Sequence, residues 1–357
     1  MSDETLSALR GQIDNLNFKI LELYNERARV ALQIAQRKKE LGYPGYDPVR
    51  EGEMIERLLA ANKGPFDDLS IGRLFKELFK NTLELMESHQ SQALLSSRRV
   101  HPQDTIFNLN GAPLGGANFT ILAGPCSLET PQQIEEVAAF LAQRGLKIMR
   151  GGAFKPRTSP YSFQGLGLEG LKLFHQIAKR YHLAVLSEID DPRTVEEAYP
   201  YLDMFQIGAR NMYNYPLLRE VGRQDKPILL KRHFAATLEE FLLSAEYLLQ
   251  AGAHQIVLCE RGIRTFERWT RNTLDLSAVP LLQRQSHLPV VVDISHAVGR
   301  RDLLLPLARA ARAVGAQGLM LELHPQPQFA RSDSQQQLDL QAGAQLLENL
   351  KEYGPLS

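Results

Sequence analysis

The chain has 357 residues, more than one ordinary core accommodates, and 44% are apolar against 23% charged, which excludes a disordered or fibrous polymer. Lysine plus arginine equals aspartate plus glutamate at 41 each, so no overall field favours nucleic acid or an anionic membrane, and any anion site must be local. Two cysteines, Cys126 and Cys259, make no disulfide framework, the first residues lack an apolar signal core and no run approaches a membrane span, so the expected compartment is the cytoplasm.

From the N-terminus, apolar residues recur at Leu6, Leu9, Ile13, Leu16, Ile20, Leu23, Val30 and Ile34, in steps of three and four that predict one long helix. Gly42, Pro44 and Gly45 end it near Leu41, and Asp47 with Pro48 reads as the cap and first position of a second helix running to about Asn62. Beyond Gly64 and Pro65, the spacing of Leu69, Leu74, Leu78, Phe79 and Leu83 predicts a third helix to about Ser91. Residues 1–92 therefore form an all-helical domain. Arg27 interrupts the first apolar seam, and a guanidinium buried there requires an anion. Arg10 and Lys38 share a flanking face of the same helix, while the second helix opens with Asp47, Arg50 and Glu51. Arg10 lies about 25 Å from Arg27 along the axis, so the two can share a small ligand only if Arg10 comes from another chain.

Residues 93–118 are polar and glycine-rich and read as a linker with a short strand or hairpin. From 119 to 357 eight short apolar runs follow: FTILA, LKIMR, AVLSE, MFQIG, ILLK, IVLCE, PVVVD and GLMLE, with helical segments between them. Apolar runs alternating with amphipathic segments imply buried parallel strands, and eight units in about 240 residues predict an α/β fold of the (β/α)8 TIM-barrel type. Cys126, Arg150, Glu188, Arg210, Lys231, Arg261, His296 and Glu322 all fall at or just beyond the C-terminal ends of these runs, the face where barrel enzymes work.

The run RGGAFKPRTSPYSFQG, residues 150–165, sets Arg150, Lys155 and Arg157 beside two glycines and the hydroxyls of Thr158 and Ser159, a composition suited to phosphate and carboxylate groups. Arg210, Lys231 and Arg261 would join them at a closed barrel's mouth, and so many cations demand multiply anionic ligands. Cys126 in GPCS, His296 in DISH, Glu322 in ELHP and Asp333 in SDSQQ form a mixed donor set that fits a divalent transition metal better than magnesium or calcium. Cys259, inside IVLCE, reads as apolar filler.

Together GPCS, RGGAFKPRTSPYSFQG, QIGARN, LLKR, CERG, SHAVGRRD and ELHP followed by SDSQQ resemble 3-deoxy-D-arabino-heptulosonate 7-phosphate synthase, of the subfamily related to 3-deoxy-manno-octulosonate 8-phosphate synthase. That resemblance implies a first step of the shikimate pathway, the condensation of phosphoenolpyruvate with erythrose 4-phosphate. It implies Cys126, His296, Glu322 and Asp333 as ligands of a divalent ion, with Mn, Co, Fe or Zn the expected choices. It places Arg150, Lys155, Arg210, Lys231 and Arg261 around phosphoenolpyruvate, and Arg157, Thr158 and Ser159 near the aldose phosphate. Lys155 is the candidate to protonate the new alkoxide and Glu188 to position water, with His296 completing the catalytic set. The alternative is the octulosonate synthase with a purely regulatory helical domain, and KPRTS favours the four-carbon sugar. Ile294, His233 and Ser334 depart from the proline and glycines usual at those places, which predicts altered loop geometry.

Arg10, Arg27, Lys38, Asp47, Arg50 and Glu51 resemble the all-helical chorismate mutase, an intertwined dimer whose pockets borrow an arginine from the partner. Near the end of the third helix that family places a glutamine or glutamate where this chain has Met86, which cannot donate a hydrogen bond. The resemblance leaves two readings open, a mutase converting chorismate to prephenate or a module that senses chorismate or prephenate and inhibits the barrel. The expected assembly is a homo-oligomer, dimer or tetramer.

Overall fold

The protein, in a computed structural model that describes residues 3–43, 46–90, 94–157 and 159–357, divides into two compact units, Met1–Ala93 and Leu94–Ser357. The first unit has three helices: α1 (Asp3–Leu41), α2 (Pro48–Ala61) and α3 (Asp68–Gln90), with α1 and α2 each packed on α3. Asp47 caps α2 by accepting the Arg50 amide at 3.1 Å, and Pro48 occupies the first turn, where its missing N–H costs nothing. This unit has almost no interior of its own: among the described residues only Ala35 and Thr82 are buried, while Leu16 is 52% and Leu23 65% exposed.

The second unit is a closed barrel of eight parallel strands: β3 (Thr120–Gly124), β4 (Ile148–Arg150), β5 (Ala184–Glu188), β6 (Met204–Ile207), β7 (Ile228–Lys231), β8 (Ile256–Glu260), β9 (Val290–Asp293) and β10 (Gly318–Glu322), with β10 pairing β3 to close the ring. A hairpin, β1 (Phe107–Leu109) and β2 (Ala112–Leu114), precedes it. Each of the eight apolar runs supplies one strand, because alternate residues serve two cores. Ile121, Val185, Leu230 and Leu258 face the surrounding helices, while Leu122, Leu186, Leu229 and Cys259 fill the barrel. Cys259 is thus interior filler, and burial pushes its thiol pKa up.

The stretch expected as a linker with a short strand or hairpin holds that hairpin, β1 and β2, and is packed into the barrel unit, which begins at Leu94. The buried Glu246 carboxylate accepts the Leu95 and Ser96 amides at 2.8 and 3.2 Å, and the Arg98 and Thr105 amides donate to Gln285 and His287 carbonyls. The hairpin's Phe107, Leu109, Ala112 and Leu114 join the barrel's interior cluster and seal its N-terminal floor, where Thr120 at the start of β3 donates to the Pro113 carbonyl. Polar and glycine-rich sequence carries no period, so packing by backbone hydrogen bonds left no sign for pattern reading.

Candidate active site

The same alternation that fills the barrel decides what faces its C-terminal mouth. Counting by twos from the interior residues Ile148, Leu186, Met204, Leu229, Cys259, Val291 and Met320 reaches Arg150, Glu188, Gln206, Lys231, Arg261, Asp293 and Glu322. These side chains, or their immediate neighbours, surround a cavity of about 200 Å³ lined also by Lys155, Arg157, Arg210, Arg271, His296 and Asp333.

At one wall the structure brings together Cys126, His296, Glu322 and Asp333, whose potential ligand atoms all lie within 4.8 Å of one another. His296 Nε2 is 3.3 Å from Glu322 Oε1 and 3.9 Å from Asp333 Oδ2, and Cys126 Sγ is 3.2 Å from the same Asp333 oxygen. A soft thiol, an imidazole and two carboxylates in one cluster match the donor preferences of a divalent transition ion. Burial pushes the Cys126 thiol up to about 12, and the neighbouring Glu322 charge adds to the effect. Burial also opposes ionisation of Glu322, but His296 and Arg150 outweigh it and hold the carboxyl below its usual range. Arg150 fixes that carboxylate by donating to Glu322 Oε1 at 2.9 Å, while Gln336 donates to Oε2 at 2.5 Å.

Asp293 was not singled out by sequence reading, yet its neighbours make it central. Its Oδ2 lies 2.8 Å from His296 Nδ1 and accepts from Lys231 Nζ at 2.5 Å, and its Oδ1 accepts the His296 amide at 3.0 Å. Burial would raise this carboxyl, but His296 and Lys231 hold it well below the usual range. The carboxylate therefore orients the imidazole so that Nε2 faces the cluster. Its signal was available: Asp293 follows Val291 by two on an apolar strand. Arg271, which donates to Asp333 Oδ1 at 3.1 Å, was also missed because it lies in a loop remote from every quoted motif.

Lys155 is buried and donates from Nζ to the Cys126 carbonyl at 3.0 Å and to its Sγ at 3.2 Å, so the ammonium stands directly beside the cluster. Arg157 donates to Ser332 Oγ at 2.5 Å, and Ser332 in turn lies 3.1 Å from Cys126 Sγ. Ser159 is exposed, away from the cavity lining, with its Oγ accepting the Tyr161 amide at 3.3 Å; Thr158 lies outside the described residues. Arg261 is buried and donates only to the carbonyls of Gly262 and His296, which leaves its charge open to an anion. Glu188 is held by Gln206, which donates to Oε2 at 2.9 Å. A Cβ on Gly208 would stand 1.9 Å from Glu188 Oε1, so only glycine admits the carboxylate there. Of the departures noted in the sequence, neither His233 nor Ser334 adopts positive φ; the left-handed residue of that last loop is Asp333 itself, at φ 48°.

The profile of the DAHP synthetase I family matches residues 106–356. The chain belongs to that family. A phospho-2-dehydro-3-deoxyheptonate aldolase from Thermotoga maritima is 52% identical over 257 residues, 72% of this chain and 76% of the relative. The crystal structure of a protein of that name and organism superposes with a TM-score of 0.72 at 49% identity, covering 74% of this chain and 79% of the other. A 2-dehydro-3-deoxyphosphooctonate aldolase from Francisella tularensis is only 28% identical over 262 residues, covering 68% of this chain and 93% of that one, so the comparison favours the heptulosonate synthase. The chorismate mutase type II profile matches residues 9–87, so the synthase barrel is fused to a mutase-type helical domain. Members of the synthase family use metal, and the four-residue cluster is where this chain could hold it.

Within the helical domain, Arg27, Asp47, Arg50 and Glu51 line one pocket of about 760 Å³ together with Thr82, Met86, Phe79 and other mostly apolar side chains. Arg27 donates to Thr82 Oγ at 2.5 Å and its guanidinium stands 5.0 Å from the Phe79 ring centre. Thr82 escaped the sequence reading because a lone threonine on a helix carries no pattern. Arg10 is exposed, and neither it nor Lys38 reaches this pocket's lining within one chain. Among the described residues no helix is long and apolar enough to cross a membrane.

Proposed function

We propose that the barrel uses Cys126, His296, Glu322 and Asp333 to hold a divalent transition ion while Lys155 and the surrounding arginines manage the enol phosphate and the proton. The observation that carries this is the meeting, at one end of the barrel, of four donors far apart in the chain. A bound ion would supply Lewis-acid polarisation of the aldehyde, and Mn, Co, Fe and Zn all suit the donor set. Arg150, Arg210, Lys231 and Arg261 grip the carboxylate and phosphate of phosphoenolpyruvate, and Arg157 receives the phosphate of erythrose 4-phosphate. As the methylene carbon attacks the aldehyde, negative charge gathers on the former carbonyl oxygen, and Lys155 donates a proton there directly or through water. Glu188, fixed by Gln206, orients the water that adds to the cationic carbon before phosphate leaves.

In the helical pocket Arg27 and Arg50 bind a dicarboxylate of the chorismate or prephenate type, with Asp47 and Glu51 shaping its surroundings. A second copy covers the exposed seam of α1 and brings Arg10 to the pocket, which makes the protein at least a dimer and permits a tetramer. Because Met86 lines the pocket where an ether oxygen needs a donor, binding exceeds turnover, and the bound ligand acts as feedback signal. The deciding experiment is a panel of phosphoenolpyruvate with four- and five-carbon aldose phosphates, with and without chelator, run alongside prephenate formation. Phosphate release that ignores chelation, or that prefers the five-carbon sugar, overturns the barrel reading.

A further inference from the structure

Behind the mouth, on the outer faces of β7 and β8, lies a charged cluster that no step above uses. The two strands pair with Lys231 opposite Cys259. Lys231 and Arg261 point into the cavity, so their neighbours Arg232 and Glu260 point away from it. Arg232 donates to Glu260 Oε2 at 2.9 Å, to Asp275 Oδ2 at 2.9 Å, and from Nε and Nη2 to the Ala236 carbonyl. Glu260 spends its other oxygen on the chain itself, accepting the Gly262 amide at 2.7 Å and the Asp275 amide at 3.4 Å. Both side chains are almost wholly enclosed, at 6% and 0% exposure.

The consequence falls on Arg261. Its preceding residue reaches forward to hold the amide of its following residue, so the peptide unit after Arg261 is pinned by the carboxylate of the residue before it. Gly262 sits at φ +89°, and a Cβ there would approach Ala297 Cα to 3.0 Å, so the backbone turns tightly against its neighbour. Arg261 itself has no carboxylate hydrogen-bonded to it, only two carbonyls. Asp293 and Glu260 act on this buried guanidinium through their charge but not through a hydrogen bond, so its direction depends on how firmly its own backbone is held. The geometry points to Arg232, Glu260 and Asp275 as a positioning network that presets Arg261 beside Lys231 for the enol phosphate. This rests on the assignment of those two cations to phosphoenolpyruvate.

The network predicts a split between the two substrates. Glu260→Gln places an amide against Arg232 or Gly262 N–H, loosens Arg261 and raises KM for phosphoenolpyruvate about tenfold, leaving KM for erythrose 4-phosphate within about twofold. The double variant Arg232→Met with Glu260→Met removes the two enclosed charges together and leaves only Asp275, which is partly exposed and still accepts from Ser277 Oγ and the Ala278 amide, and the same split is expected. Calorimetric binding of phosphoenolpyruvate to the full metal-loaded chain checks the affinity directly, and the thermal midpoint reports folding. Arg261→Ala is the control for the underlying assignment. If it leaves phosphoenolpyruvate binding unchanged, the assignment fails and the network has nothing to position. If it weakens binding while both network variants keep wild-type affinity, or lose affinity for the two substrates equally, the positioning proposal alone is overturned.

Discussion

The barrel mouth and the helical pocket both present arginines to an anion, yet they are built in opposite ways. The mouth is small, about 200 Å³, and crowded with charges whose positions are fixed by buried partners, as Lys231 is by Asp293 and Arg150 by Glu322. The helical pocket is larger, about 760 Å³, mostly apolar in its lining, and its Arg27 is held by a hydroxyl and an aromatic face. A closed sheet supplies a rigid, dry wall that can hold like charges close together, because Lys231 and Arg150 are each anchored by a carboxylate two strands away around the ring. Three helices in which, among the described residues, only Ala35 and Thr82 are buried supply no such wall, and the proposed second copy and ligand would have to complete this site. Chemistry that builds charge needs the first arrangement, and recognition that orders a loose unit suits the second.

The difference can be broken most drastically at the four-donor cluster. Cys126→Ala is expected to reduce aldol turnover to background and to lower bound metal by elemental analysis, while ligand binding by the helical domain stays intact; retained turnover with retained metal would exclude Cys126 as a ligand. Lys155→Met should lower kcat by about 10²–10³, the loss of a positioned proton donor, with metal content unchanged. Asp293→Asn removes the carboxylate that orients His296 and should weaken metal affinity about tenfold to a hundredfold in a chelator competition, with smaller effects if the imidazole holds its own orientation. The smallest expected effect sharpens the comparison from the other side. Met86→Gln offers the ether oxygen a donor and should raise prephenate formation about tenfold, the worth of one hydrogen bond, with barrel kinetics unaltered. No gain would mean that looseness of the helical unit limits turnover.

Much of this was legible before any coordinates. Eight apolar runs gave eight strands because burial on both faces leaves no alternative residue types, and the end of α1 at Leu41 and the start of α2 after Asp47 follow from glycine, proline and a capping carboxylate. Three members of the donor cluster, Cys126, His296 and Glu322, and most mouth cations were visible because polar residues of special chemistry stood at or just beyond the ends of apolar strands. What the chain's linear order could not disclose is which of them touch. That Asp293 orients His296, that Arg271 comes from a distant loop to bind Asp333, and that the polar stretch after Leu94 is the floor of the barrel are outcomes of closure. Hydrogen bonds between residues remote in sequence have no period and no composition, so only folding the strands into a ring decides them.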